Sequence, residues 1–165
     1  MLFSCKLLNR HLNERSVNRT RVEVGWTFFN ICPVGWVLFG GHCYFRSQTE
    51  DSWNNAQEDC LKYGAHLVEI DTPAENTWLM ESFLPPWNDV ACSTWHKCCS
   101  CWIGATDIDS EGVFTWNRRT NITFTNWYPN EPKNYLAEEN CVVLCQNGLW
   151  NDEFCNSKFT FICKK

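Results

Sequence analysis

Glu131-Pro132-Lys133, followed by Glu139 and Cys141 and then by Trp150-Asn151-Asp152 and Cys155, sets three acids and an amide in one short cysteine-bounded segment. Carboxylate and amide oxygens are the donors that a hard cation such as Ca²⁺ takes, typically about 6 to 8 of them, with water or ligand hydroxyls completing the shell. The segment therefore has the outline of a calcium-binding loop whose open positions sugar hydroxyls could fill. Standing alone, the same acids would read as a solvated loop face.

The chain has 165 residues, enough for one domain with a real core and too few for two comfortable ones. A hydrophobic fraction of 44% with 10 tryptophans excludes a disordered chain, and a net charge of -5 offers no general attraction for nucleic acid. Twelve cysteines, an even number, favour disulfides formed in an oxidising, extracellular compartment. Ser4, Cys5 and Lys6 interrupt the apolar start, so no secretion signal is expected at this N-terminus. No run approaches the roughly 20 apolar residues of a membrane span.

Residues 1–30 are polar and rich in Arg and Asn, and read as a tail or propeptide ahead of a domain over 31–165. Asn18-Arg19-Thr20 and Asn121-Ile122-Thr123 fit the N-glycosylation acceptor pattern. Trp53, Ala56 and Cys60 recur at helical spacing before Gly64, predicting a first helix between Thr49 and Tyr63. His66 to Ile70 alternates like a strand. Thr72-Pro73-Ala74-Glu75 supplies an N-cap, a proline at the first helical position and a capping glutamate for a second helix toward Leu84, which Pro85-Pro86 ends. Short strands are expected at Trp102 to Ala105, Val113 to Trp116, Cys141 to Leu144 and Phe159 to Cys163. Two helices with several short antiparallel strands make an α+β domain. The long stretch from Asn117 to Asn140 has little regular pattern, and it carries candidate ligands.

Cys32-Pro33-Val34-Gly35-Trp36 with Cys43-Tyr44, Ser52-Trp53-Asn54-Asn55-Ala56 with Cys60, Gly64-Ala65-His66-Leu67-Val68, Trp102-Ile103-Gly104, Glu111-Gly112-Val113-Phe114-Thr115-Trp116 and Phe159-Thr160-Phe161-Ile162-Cys163 occur in an order that resembles the C-type lectin family. The resemblance covers Cys32 to Lys165 and has the form of the long, hairpin-opened version of that domain; the wording around Trp102 to Trp116 is similar to perlucin-type molluscan lectins. It implies a C-type lectin-like fold with a long calcium-binding loop region, stapled by Cys32–Cys43, Cys60–Cys163 and Cys141–Cys155. Cys5, Cys92, Cys98, Cys99, Cys101 and Cys145 remain, and six cysteines allow 15 pairings, so no connectivity follows for them.

Carried over residue by residue, the resemblance implies that Glu131, Glu139, Asn151 and Asp152 hold both calcium and sugar, with Pro132 in a cis peptide bond. Carboxylates supply charge to the ion, while remaining lone pairs and amide hydrogens bond adjacent sugar hydroxyls. Lys133 departs from the family pattern, which has Asn in mannose-type sites and Asp in galactose-type sites. An ammonium has three donors and no acceptor, so it cannot coordinate a metal. Held about 5 Å from the ion it would cost roughly 2 kcal/mol at bulk permittivity and about 7 at an effective value of 20; swung to about 10 Å through water it would cost less than 1. The lysine rotamer therefore decides how the site works. Asp107, Glu111 and Asn134, with Glu139 again, match the family's auxiliary calcium site. Asp107 to Gly112 also imitates half of an EF-hand loop, but its twelfth position is Arg118 and no helix pattern flanks it.

Cys92, His96, Cys98, Cys99 and Cys101 fall in a cysteine-rich insertion at 85–101, whose residue types suit Zn²⁺ or disulfides; adjacent cysteines are awkward for one tetrahedral centre, which favours disulfides. No histidine belongs to an HExxH motif and no GxSxG elbow is present, so no enzyme is expected. Trp127 and Trp150 are placed to border the site. The leading expectation is a secreted, calcium-dependent lectin for glycans or glycoproteins, with oligomer formation compatible with the sequence; the alternative is a calcium-independent module for protein or mineral, its sugar site disabled by Lys133.

Overall fold

The computed structural model describes residues 32–85 and 100–165. The tail, the Asn18 sequon, Cys5, and Cys92, His96, Cys98 and Cys99, with the choice between zinc and disulfides, lie outside the described residues. The chain opens with a hairpin of β1 (Val37–Phe39) and β2 (His42–Arg46), turned at Gly40 and Gly41, whose φ values of 55° and 85° suit residues without a Cβ. The Cys32–Cys43 disulfide closes it. Helix α1 (Trp53–Lys62) starts at Ser52, whose hydroxyl accepts the Asn55 N–H, and buries Trp53, Ala56 and Cys60. Gly64, at φ 63°, turns the chain out of it.

Helix α2 (Pro73–Phe83) begins as its sequence predicts, with the Thr72 hydroxyl accepting the Glu75 N–H at 3.1 Å. Glu75 does not complete a reciprocal cap. Its carboxylate instead accepts the Tyr44 hydroxyl at 2.6 Å and the Asp71 N–H at 3.0 Å, and pairs with Lys164 at 2.8 Å. Burial and the adjacent Glu75 push the Tyr44 phenol far above its usual range.

The remaining strands are β3 (His66–Leu67), β4 (Ser100–Thr106), β5 (Thr115–Trp116), β6 (Glu139–Cys145), β7 (Trp150–Phe154) and β8 (Thr160–Lys164). They form one sheet in the order β1-β2-β8-β4-β6-β7, with β3 added to β8 and β5 to β4. The sheet is mixed: β4 and β8 run parallel, Cys101 facing Thr160 and Trp102 facing Phe161, where antiparallel strands alone were expected. The strand expected over His66 to Ile70 shrinks to two residues, and β7 appears where Asn151, Asp152 and Glu153 disfavour a strand. Its pairing with β6 across the Gly148 turn overrides that propensity.

Two apolar clusters lie on the sheet, one beneath α2 around Trp116, Leu144 and Trp150, the other beneath α1 around Trp53, Trp102 and Phe161. Gly104 lets β4 pass close to β3, since a Cβ there would meet Leu67 O at 2.8 Å and Asn117 Nδ2 at 2.9 Å. The Cys60–Cys163 disulfide ties α1 to β8 across 103 residues, a closure that restricts the unfolded chain by about 4.7 kcal/mol in the chain-entropy account. Cys141–Cys155 closes the β6–β7 hairpin. Cys101 and Cys145 are free, and register sends them to opposite faces, since Ser100 rather than Cys101 lies across from Cys145. Burial raises both thiols, Cys145 to about 11, so neither is a reactive thiolate.

One buried amide joins α2 to the hairpin that carries Asp152. Asn76 donates Nδ2–H to Gly148 O at 2.8 Å and accepts the Trp150 indole N–H at 2.7 Å. Gly148 O keeps a second donor, Asn126, whereas the buried Trp150 indole N–H would lose its acceptor Asn76. Asn76→Leu is therefore expected to lower stability by about 1–3 kcal/mol in denaturant unfolding, with the native circular dichroism spectrum retained.

Candidate functional site

The loop between β5 and β6 is held by acids from the strands behind it. Asp152, fully buried on β7, accepts the backbone N–H of Lys133 at 3.2 Å on Oδ1 and that of Asn134 at 2.7 Å on Oδ2. Glu139, buried at the start of β6, accepts the Tyr135 N–H at 2.8 Å on Oε2, while its own N–H donates to Asn134 Oδ1 at 3.2 Å. Glu131 precedes Pro132 through a cis peptide bond. The Lys133 ammonium then lies 3.0 Å from Glu131 Oε1 and 3.5 Å from Glu139 Oε2.

Glu131, Lys133, Glu139 and Asp152 thus meet in one network. Asn151, the neighbour of Asp152, directs its amide to Glu153 at 3.3 Å. Of the auxiliary set, Asp107 is buried and accepts the Gly112 N–H at 2.8 Å, and Glu111 accepts the Asn134 amide at 2.5 Å. Asn134 therefore links both clusters, a role that no sequence signal announced. It adopts φ 47°, and Leu136 and Ala137 follow at φ 58°, a conformation that costs residues with a Cβ about 1–2 kcal/mol each. Leu136 and Tyr135 are exposed on this turn.

The expected aromatic border divides. Trp150 is fully buried, with its indole N–H on Asn76, so it packs the floor of the loop and offers no face to a ligand. Trp127 is half-buried, edge-on to Phe114 at 4.9 Å and to Trp150 at 5.9 Å. A tryptophan beside metal-ligand positions reads from sequence as a lining residue; the alternation along β7 turns this one inward.

Three carboxylates face one ammonium here. Burial, together with nearby Asp152, raises the Glu131 pKa above the ordinary glutamate value, and Lys133 offsets this only in part. Burial also raises Asp107, with Glu111 and Asp152 adding to the effect. For Lys133 burial acts downward, but Glu131, Glu139 and Asp152 outweigh it, so the ammonium stays charged. Glu131 Oε2 and Asp107 Oδ1 are buried with no hydrogen-bond partner, and excess carboxylate charge with orphaned hard oxygens fits a hard cation. Among the described residues, however, no three His, Cys, Asp or Glu side chains are grouped as a ready-made metal centre. The loop acids are linked through the lysine and backbone amides instead.

A profile of the Lectin C-type domain matches residues 49–165. The chain belongs to the C-type lectin family. The human low affinity immunoglobulin epsilon Fc receptor is 30% identical over 161 residues, which cover 96% of this chain and 46% of that receptor. The chain thus spans less than half the length of that relative. Among solved structures, the carbohydrate-recognition domain of the mouse scavenger receptor C-type lectin is 29% identical at a TM-score of 0.71, covering 81% of this chain and 95% of that one. The cow C-type carbohydrate-recognition domain of CD23, crystallised in the presence of a GlcNAc2Man3 oligosaccharide, is 30% identical at a TM-score of 0.70, covering 83% and 97%. The C-type lectin fold follows, with two helices, a mixed sheet and three disulfides among the described residues.

Because Asp152 fixes two backbone amides of the loop, Asp152→Ala should loosen residues 133–139 rather than only remove a charge. A stability loss of about 1–3 kcal/mol and faster limited proteolysis within the loop are expected.

Proposed function

We propose that this lectin domain binds glycans or glycoproteins through a calcium ion held by Glu131, Glu139, Asp152 and Asn151, with Asp107, Glu111 and Asn134 as an auxiliary set. The observation that carries the reading is the buried, unpartnered Glu131 Oε2 in a site where three carboxylates share one ammonium. Unscreened negative charge with an orphaned oxygen is what a bound divalent ion would relieve. When bound, calcium supplies a point of attachment for adjacent sugar hydroxyls. The chain's own part is to hold the oxygens in place: Asp152 through two backbone amides, Glu139 through one, and Glu131 through burial. The oligosaccharide in the cow CD23 crystals supports the ligand class. No catalytic role is assigned.

Three disulfides among the described residues support an extracellular location, and among the same residues no helix is long and apolar enough to cross a membrane. A second reading, a calcium-independent module for protein or mineral, is favoured by one observation, the Lys133 ammonium already seated on Glu131 and Glu139.

Glycan-array binding in millimolar calcium, abolished by EDTA and restored by added calcium, is the expected result; binding indifferent to EDTA selects the second reading. Acid should release the ligand as well. Metal and proton compete for the same oxygens, and the raised Glu131 and Asp107 values mean that protonation begins above the ordinary carboxylate range. The metal-free fold has the opposite sign: a carboxyl whose folded pKa exceeds its unfolded one binds protons more tightly when folded, so its protonation favours the folded chain. The calcium-induced rise in Tm should therefore shrink in mild acid faster than the metal-free Tm falls.

A further inference from the structure

We propose that Lys133 is a tethered cation that holds the loop closed without metal and gives way to calcium, so that ligand binding switches on above a calcium threshold set by this ammonium. The inference rests on the calcium reading of the site. Its basis is an asymmetry of exposure. The Glu131 and Glu139 side chains are 12% and 6% exposed, whereas that of Lys133 is 44% exposed. Burial holds both acids, and Glu139 also accepts the Tyr135 N–H, while the lysine stem can extend into water.

The backbone of Lys133 does not share that freedom. Its N–H is bound to Asp152, so an ammonium that leaves remains attached at the rim of the site. A competitor on so short a tether acts at a high effective concentration, independent of the surrounding salt. It is nevertheless an incomplete substitute. One ammonium against three carboxylates leaves a charge of about minus two, and it provides nothing for Glu131 Oε2. A divalent ion with the lysine swung away leaves about minus one and is drawn to the same oxygens. Occupation by lysine also bridges Glu131 to Glu139 across the exposed Tyr135–Leu136 turn, adding an ionic closure to the backbone bonds made by Asp152 and Glu139.

The test compares the full chain with Lys133→Met, which keeps most of the stem, and Lys133→Arg, which keeps the charge. In EDTA, limited proteolysis between residues 131 and 139 and thermal unfolding are measured; then calcium alone, without glycan, is titrated by calorimetry. Expected are faster loop cleavage and a lower Tm for Lys133→Met in EDTA, behaviour close to wild type for Lys133→Arg, and calcium affinity about tenfold or more higher in Lys133→Met. Equal cleavage rates and equal calcium affinities would overturn the proposal, as would tighter calcium binding without any change in the metal-free loop. A looser metal-free loop in Lys133→Met with no calcium binding by any of the three proteins rejects the switch and the calcium reading together, and leaves Lys133 as a permanent counter-ion.

Discussion

The buried Asp152 carboxylate takes one backbone N–H on each oxygen, from Lys133 and Asn134, and so sets the course of a loop that has little regular structure of its own. A buried carboxylate costs least when its oxygens are hydrogen-bonded, and the loop supplies a partner for each oxygen of Asp152. The same bonds place Glu131 and Glu139 on either side of the Lys133 side chain. Negative charge, burial and loop shape are therefore one arrangement: loosening the loop exposes the acids, and removing the acids releases the loop.

That arrangement needs a rigid base, which the covalent and packed parts of the domain supply. Asp152 lies on β7, whose partner β6 begins at Glu139 and whose hairpin is closed by Cys141–Cys155. Trp150, two residues before Asp152 and on the same side of the strand, is fixed to α2 through Asn76. The parallel join of β4 to β8 then connects this half of the sheet to the terminal hairpin and to α1 through Cys60–Cys163.

Much of this was legible in the residues. Helix α2 starts where the Thr72 cap announces it, α1 falls within the Thr49 to Tyr63 span read as helical, and the three described disulfides follow from the family resemblance. The identity of Lys133 as a departure was plain; the position of its ammonium was not, because a flexible stem chooses its rotamer from neighbours that only folding assembles. β7 was hidden because Asn151-Asp152-Glu153 has poor strand propensity, and only cross-strand pairing with β6 makes it extended. The parallel β4–β8 contact joins segments some 60 residues apart and leaves no local pattern. Trp150 was misplaced for a related reason: its inward direction depends on strand phase, and the strand itself was not foreseen. The left-handed conformations of Leu136 and Ala137 carry no sequence signal at all, since neither residue favours them.

The proposed cation site has two alternative occupants, one tethered and one free. Crystal structures of the same chain in EDTA and in saturating calcium test this most directly. The account predicts the Lys133 ammonium between Glu131 and Glu139 in the first, and in the second an ion on Glu131, Glu139 and Asp152 with the lysine extended into solvent. An ammonium that keeps its place in saturating calcium, with no ion on those three acids, would contradict it.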